Sequence, residues 1–273
     1  MPPRPPSASI PATDASAPPR PGDSYVQSFA RGLEVIRSFS ADAPRQTLSE
    51  VALRTGLTRA GARRILLTLQ SLGYVESDGR LFALTPRILD LGFAYLSSMP
   101  MWNSAEPLME DLAATVKESC SAAVLEGIDI VYVLRVPTHK IMRINLGVGS
   151  RLPAWCTSMG RLLLGALPDD DILARLAGAD LVSHTQRTLT DPEAILSAIR
   201  QARRQGWCLV DQELEEGLIS VAAPVTGRGG RMVAALNISG QANRTSARVM
   251  RDTMLEPLRE TAAAISARLT SRA

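Results

Sequence analysis

Lysine, histidine and organised cysteine are scarce in this sequence. Of its 30 basic residues only Lys117 and Lys140 are lysine, a bias that base composition can produce and that carries little functional weight. The three cysteines, Cys120, Cys156 and Cys208, are odd in number, widely spaced and outside any CxxC pattern. That excludes a disulfide framework and a zinc site, and fits a reducing cytoplasm. No apolar run reaches the roughly 18 residues needed to span a bilayer, and the amino terminus lacks the basic-then-apolar order of an export signal. There is no P-loop, no GxGxxG before a helix and no cluster of metal-ligand residues, so no cofactor or metal is expected. Two histidines, His139 and His184, lie in loop-like stretches with no motif linking either to a cysteine. An enzyme with Cys156 or Cys208 as nucleophile and a histidine as base is therefore the weakest reading, because thiol chemistry needs a thiolate partner.

What is present suffices for two domains. The 273 residues are 45% hydrophobic and 21% charged, ordinary values for a chain that buries a core. The net charge of +3 is concentrated. Residues 24–96 carry nine arginines against six acids, whereas the rest of the chain is balanced. A locally basic segment beside a neutral one is the pattern of a nucleic-acid-binding module joined to something else. Eight prolines in the first 22 residues, without hydrophobic periodicity, predict a disordered tail over 1–23.

From Tyr25 the pattern becomes periodic. Leu33, Val35, Ile36 and Phe39 predict a helix ending before Pro44, and Thr47-Leu-Ser-Glu50 is a capping box opening a second helix. Gly56 supplies a sharp turn, and Thr58 N-caps a third helix whose Ala62, Ile65, Leu66, Leu69 and Leu72 share one face. Its other face carries Arg59, Ala60, Arg63 and Arg64. Two helices around a glycine turn, the second presenting arginine, are what the major groove admits. Arg59 and Arg63 suit guanine edges and Ala60 a thymine methyl. Two short strands around Asp78-Gly79 form a hairpin, the wing, on which Arg80, like Arg64, suits phosphate. Residues 24–85 thus read as a winged helix-turn-helix that takes double-stranded operator DNA as partner. Thr85 and Pro86 then read as N-cap and first residue of a linker helix over 86–99.

Residues 100–273 read as an α+β domain with a mostly antiparallel sheet. The expected order is a helix from Ser104 to Lys117, then strands at Ser121–Leu125, Ile130–Val136 and near Met142–Leu146. The loop Gly147–Thr157 follows, then helices at Met159–Ala166, Asp169–Leu176 and Pro192–Gln205. Strands at Cys208–Asp211, Ile219–Val225 and Met232–Ser239 and a long helix from Ser246 complete it, with Gly227–Gly230 as a hairpin turn. Ser158 and Met159 open a helix, so their backbone N–H groups form a natural carboxylate site.

Over nearly all of residues 24–270 the chain resembles the IclR family of bacterial regulators. The stretches that carry this are Ser28-Phe-Ala-Arg-Gly-Leu-Glu-Val-Ile36, Leu48-Ser-Glu-Val-Ala52, Thr55-Gly-Leu-Thr58, Leu69-Gln-Ser-Leu-Gly-Tyr-Val75 and Leu84-Thr-Pro-Arg-Ile-Leu-Asp-Leu-Gly92. Two further runs, Thr58–Leu69 and Gly149–Arg161, are most similar to the subgroup controlling protocatechuate and 4-hydroxybenzoate catabolism. The resemblance implies a GAF-like effector-binding domain, homodimers or dimers of dimers, a small organic acid effector, and RNA polymerase as a candidate partner. It places the effector between the Ser158 helix start and polar strand residues, here Asp211, Ser220, Asn237 and Ser239; Ser220 departs from the cysteine of other members. Asp211 beside an anion favours a ligand that also carries hydroxyls, and Trp155 can stack on its ring. The competing reading is a DNA-binding protein whose larger domain only oligomerises.

Overall fold

The capping pattern around Thr47 and Thr58 sets the local geometry of the amino-terminal half. In the computed structural model, which describes residues 25–98, 101–137 and 146–271, the chain divides into two compact units, one running through Leu91 and one from Gly92. The first holds helices α1 (Gln27–Arg37), α2 (Leu48–Thr55) and α3 (Arg59–Ser71) and strands β1 (Arg45–Thr47), β2 (Val75–Ser77) and β3 (Leu81–Leu84). At the start of α2, Thr47 Oγ1 accepts the Glu50 N–H at 3.3 Å and the Glu50 carboxylate accepts the Thr47 N–H at 2.7 Å. Gly56 ends α2 at φ +64°, a left-handed conformation that glycine adopts without a Cβ penalty. Thr58 Oγ1 then accepts the Gly61 N–H at 3.1 Å and opens α3. Val35, Val51, Ala62, Leu66, Leu69 and Val75 close the core of this unit.

Three details differ from the sequence expectation. β1 pairs with β3 to make a three-stranded sheet, although Arg-Gln-Thr has no apolar alternation to announce it. Leu72, expected on the core face of α3, is 52% exposed because the helix ends at Ser71. The Thr85 hydroxyl does not cap the next helix; it donates to the Gly73 carbonyl while the Thr85 N–H donates to that of Tyr74, sealing the base of the wing. A 3₁₀ turn at Pro86–Ile88 leads into α4 (Leu89–Ser97), whose Leu89, Leu91, Phe93 and Tyr95 are exposed.

The second unit is built on a six-stranded, wholly antiparallel sheet in the order β6-β5-β4-β9-β8-β7. Its strands are β4 (Ser119–Glu126), β5 (Asp129–Val136), β6 (Arg151–Pro153), β7 (Cys208–Asp211), β8 (Leu218–Thr226) and β9 (Met232–Gln241). Period-two alternation assigns their two faces. Ile219, Val221, Val225, Leu236 and Ile238 point to the face covered by α5 (Met101–Val116) and α10 (Leu255–Ser271). Ile130, Tyr132, Val210, Ala222 and Ala235 point to the face covered by α6 (Ser158–Leu164), α7 (Asp169–Ala177) and α8 (Pro192–Gln205). β6 lies within the stretch read as loop, held by the Arg151 guanidinium bridging Glu126 and Asp129 at 2.7 and 3.1 Å. The last helix from Ser246 includes a π turn at Met250–Met254 between α9 (Ala247–Val249) and α10. The strand expected near Met142–Leu146 lies largely outside the described residues, as does His139.

Candidate functional site

In the first unit the helical period sorts α3 into two faces. Ala62, Leu66 and Leu69 are buried, while Arg59, Ala60, Arg63, Arg64 and Leu67 are exposed. Arg64 borders a groove between α1 and α3, which leaves Arg59, Ala60, Arg63 and Leu67 on the remaining outward arc. None of the Arg59, Arg63, Arg64 or Arg80 guanidinium groups has an ion-pair partner among the described residues, so all four are available to an anion. Leu67, 43% exposed on this arc, escaped the sequence reading because a leucine beside core positions reads as core. The wing is locked by Asp78, whose carboxylate accepts the N–H groups of Leu81 at 2.8 Å and Arg80 at 2.9 Å and the Arg45 guanidinium at 2.7 Å. Those backbone bonds, and then Arg45, hold its carboxyl below the usual value. A rigid hairpin therefore presents Arg80 at its tip, where the backbone turns through Gly79 at φ +96°.

In the second unit α6 lies over β8 and β9. Gly160 lets the turn at Ala154 fold directly against the first turn of α6: a Cβ there would stand 2.2 Å from the Ala154 carbonyl oxygen. Thr157 caps α6 by accepting the Gly160 N–H at 3.2 Å, leaving the N–H groups of Ser158 and Met159 without intrahelical acceptors. Ser158 reaches across to β8, its Oγ 2.8 Å from that of Ser220. Ser220 faces Ser239 in register, and the Ser239 Oγ accepts the Asn237 side-chain N–H at 2.9 Å. Among the described residues the buried Asn237 Oδ1 has no hydrogen-bond partner. Ser158, Ser220, Ser239 and Asn237 thus form one polar strip, and all four line a cavity of about 30 Å³ with Met159 and Thr157. Tyr132, Leu146, Leu152, Val210, Leu214 and Leu218 supply its apolar walls. Burial raises the Tyr132 phenol to about 12, so it is neutral and able to donate.

Two expected effector residues stand elsewhere. The Asp211 carboxylate pairs with the Arg187 guanidinium, and Asp211 is not among the residues lining the cavity. Trp155 is buried, stacks on His184 at 6.3 Å and is likewise absent from the lining. The cavity wall residues were missed by sequence reasoning because apolar strand and loop residues carry no chemical signature. Their one available signal was strand alternation, which sorts the residues of each strand into two faces; the register between strands is what brings Tyr132, Val210, Ser220 and Asn237 to a common one. Burial pushes the Cys156 and Cys208 thiols up to about 12, away from the thiolate a nucleophile needs. Among the described residues there is no group of three or more histidine, cysteine or acidic side chains able to hold a metal ion, and no helix long and apolar enough to cross a membrane.

An arginine-bearing helix with a clamped wing in one unit, and a helix-over-sheet cavity with a polar strip in the other, define a ligand-responsive DNA-binding transcription regulator. Residues 28–79 match the IclR helix-turn-helix domain and residues 93–267 the bacterial transcriptional regulator IclR C-terminal domain; the chain belongs to the IclR family. It is 46% identical over 223 residues to the Pca regulon regulatory protein of Pseudomonas putida, covering 81% of this chain and 77% of that one. It is 35% identical over 245 residues to the p-hydroxybenzoate hydroxylase transcriptional activator of Acinetobacter baylyi, covering 88% and 90% of the two chains. Among solved structures, an IclR homologue of Microbacterium hydrocarbonoxydans complexed with 4-hydroxybenzoate superposes with a TM-score of 0.78 at 26% identity, covering 89% of this chain and 98% of that one.

Proposed function

We propose that this protein controls genes for the breakdown of a hydroxylated aromatic acid and that the acid itself is the effector, bound in the cavity under α6. The observation that carries this is the polar strip with an unpaired, buried Asn237 Oδ1 set among apolar walls. An unsatisfied buried acceptor costs free energy that a ligand hydroxyl recovers. In this reading the carboxylate lies at the Ser158 and Met159 N–H groups with Ser158 and Ser220, and a ring hydroxyl donates to Asn237; Ser239 orients the Asn237 amide. The names of the P. putida and A. baylyi relatives and the 4-hydroxybenzoate bound by the M. hydrocarbonoxydans protein support the same class. Trp155 and Asp211 then act outside the pocket, through His184 and Arg187.

A cavity of 30 Å³ accommodates about one water, whereas a benzene ring needs roughly 150 Å³. Binding is therefore coupled to opening of the walls, the kind of structural change that can bias operator affinity, typically by about 1 to 3 kcal/mol. Thr58 as cap, Arg59, Ala60 and Arg63 at base edges, and Arg64 and Arg80 at phosphates are the proposed roles on DNA. The working form is a homodimer. Val26 just before α1, Phe29 and Leu33 on α1, and Leu89, Leu91 and Phe93 on α4 are exposed large apolar residues that a second copy would cover. The protein acts in the cytoplasm on its operator and carries out no catalysis, consistent with its neutral, buried thiols. Calorimetric titration with 4-hydroxybenzoate, protocatechuate, benzoate and pyruvate tests the effector. Binding confined to the hydroxylated aromatics supports the proposal; binding of pyruvate alone refutes it in favour of an effector of another class, and binding of none refutes it in favour of a purely oligomerising domain.

A further inference from the structure

From its first turn α6 reaches the β7–β8 hairpin at two points. Ser158 meets Ser220 on the strand, and Arg161, three residues on, meets Glu213 in the connecting loop. The second contact is a forked ion pair, with Arg161 Nη1 2.7 Å from Glu213 Oε1 and Nη2 2.5 Å from Oε2. Both residues are buried, at 4% and 8% exposure. Each side chain makes one further bond: Arg161 Nε donates to the Trp155 carbonyl at 2.7 Å, in the turn leading into α6, and Glu213 Oε2 accepts the Leu189 N–H at 3.3 Å. Thr185 and Thr188 hydroxyls hold the carbonyls of Gln212 and Glu213 at 2.7 and 2.5 Å, and Gln212 takes the left-handed φ of +62°. The loop pinned in this way carries Leu214 and leads into Leu218, two walls of the cavity.

We propose that Arg161 and Glu213 are positioning residues for the effector: their buried pair fixes the start of α6 against the β7–β8 loop and so sets both the polar strip and the Leu214–Leu218 wall that the ligand meets. This rests on the reading of the cavity as the effector site. Stability alone does not account for the pair, since apolar side chains of similar volume generally replace a buried ion pair at no cost or with a gain. What such a replacement cannot supply is the set of directional bonds to the Trp155 carbonyl and the Leu189 N–H, each of which ties a different segment to the same point.

The double variant R161M/E213L separates the two roles. Three quantities are measured on the full chain: the unfolding midpoint, the calorimetric affinity for 4-hydroxybenzoate, and hydrogen exchange of amides 212–218 in the protein without ligand. The expected result is a midpoint close to the parent's, apolar packing offsetting the backbone bonds lost at Trp155 and Leu189, with affinity weakened about tenfold or more, as when a supporting shell is removed, and faster exchange across the loop. Recovery of parental affinity and protection together with parental stability would make the pair a structural bond only, and overturns the proposal. Should the double variant not fold, E213Q, which keeps shape and one acceptor, must still show weakened affinity and faster exchange; parental values for both overturn it equally. If the parent protein binds none of the acids, the effector assignment is what fails. The exchange rates then report on the loop alone: faster exchange at 212–218 supports the hold of the pair on the β7–β8 loop, and unchanged exchange refutes that as well.

Discussion

Replacing Asn237 by leucine is the substitution that most directly probes the polar strip. Leucine is close in size to asparagine, sits at a position 4% exposed, and removes both the unpaired Oδ1 and the bond to Ser239. In the parent protein a ring hydroxyl donating to Oδ1 relieves the cost of the unpaired acceptor, about 1 to 3 kcal/mol, which a ligand without the hydroxyl leaves in place. The parent should therefore prefer 4-hydroxybenzoate over benzoate by roughly 10- to 100-fold, at 1.4 kcal/mol per tenfold. With leucine in place the acceptor is gone, so benzoate no longer leaves it unsatisfied. The ratio should fall to within about threefold, mainly because 4-hydroxybenzoate binds less well while benzoate holds or improves. Calorimetric titration of both ligands into both proteins reads the four affinities, with the unfolding midpoint as a check that the sheet is intact. Equal affinities for the two acids in the parent, or a preference that survives in the leucine variant, would show that Asn237 does not read a hydroxyl.

The remaining expectations address other parts of the chain. Arg63→Ala should lose discrimination between operator and random DNA, whereas Arg80→Ala should weaken binding to both and lower the salt slope by about 1, as read by fluorescence anisotropy over a salt series. Gly160→Ala should abolish effector binding and lower the unfolding midpoint sharply, because its Cβ would meet the Ala154 backbone and no side-chain rotation relieves that; a parental midpoint would contradict the packing described. Thr58→Ala removes the acceptor for the Gly61 N–H and should cost about 1 kcal/mol in denaturant titration of the first unit. Asp169, held below the ordinary carboxyl value of 3.8 by Arg200 and then Arg203, stabilises the fold above that value and loses its contribution as pH falls through the depressed folded one. Asp169→Asn should accordingly flatten the acid limb of the stability curve between pH 5 and lower values, which thermal melts across that range would register.

Much of the fold was legible because its signals are local. The capping box at Thr47 and Glu50, the Thr58 cap, the Asp78-Gly79 turn and the glycines at 227–230 each act through neighbours within a few residues, and the elements they punctuate occur where expected. α8 runs from Pro192 to Gln205 as its Asp191 cap and Gly206 stop dictate. β1 and β6 were not legible, because neither is held by its own composition. β1 is a three-residue strand ordered by the open edge of β3, and β6 by pairing with β5 and the reach of Arg151 to Glu126 and Asp129. The same reason explains Thr85, whose hydroxyl found a closer acceptor at Gly73 across the hairpin than at its own helix start.

The candidate site divides along a similar line. Strand alternation is a property of the chain itself, so Asn237 and Ser239, two apart on β9, share a face by their spacing; Ser220, expected there from the family resemblance, joins them through the β8–β9 register, and all three reach the cavity. Whether a charged group on such a face is free for a ligand depends on what the rest of the fold brings to it. Asp211 ends β7, where the segment 183–189 carries Arg187 to within ion-pair reach, a contact 24 residues away in sequence that no local pattern announces. Arg161 and Glu213, 52 residues apart, show the converse: each reads as a surface charge, and together they become the most buried ion pair among the described residues. Satisfied by one another, they leave the neutral strip of serines and Asn237 as the polar groups facing the cavity. A neutral strip beside helix N–H groups can hold an anion without the desolvation cost of burying a second full charge. Selectivity among acids then falls to the group that can use Asn237 Oδ1, a cavity acceptor without a partner among the described residues, and a ring hydroxyl is such a group.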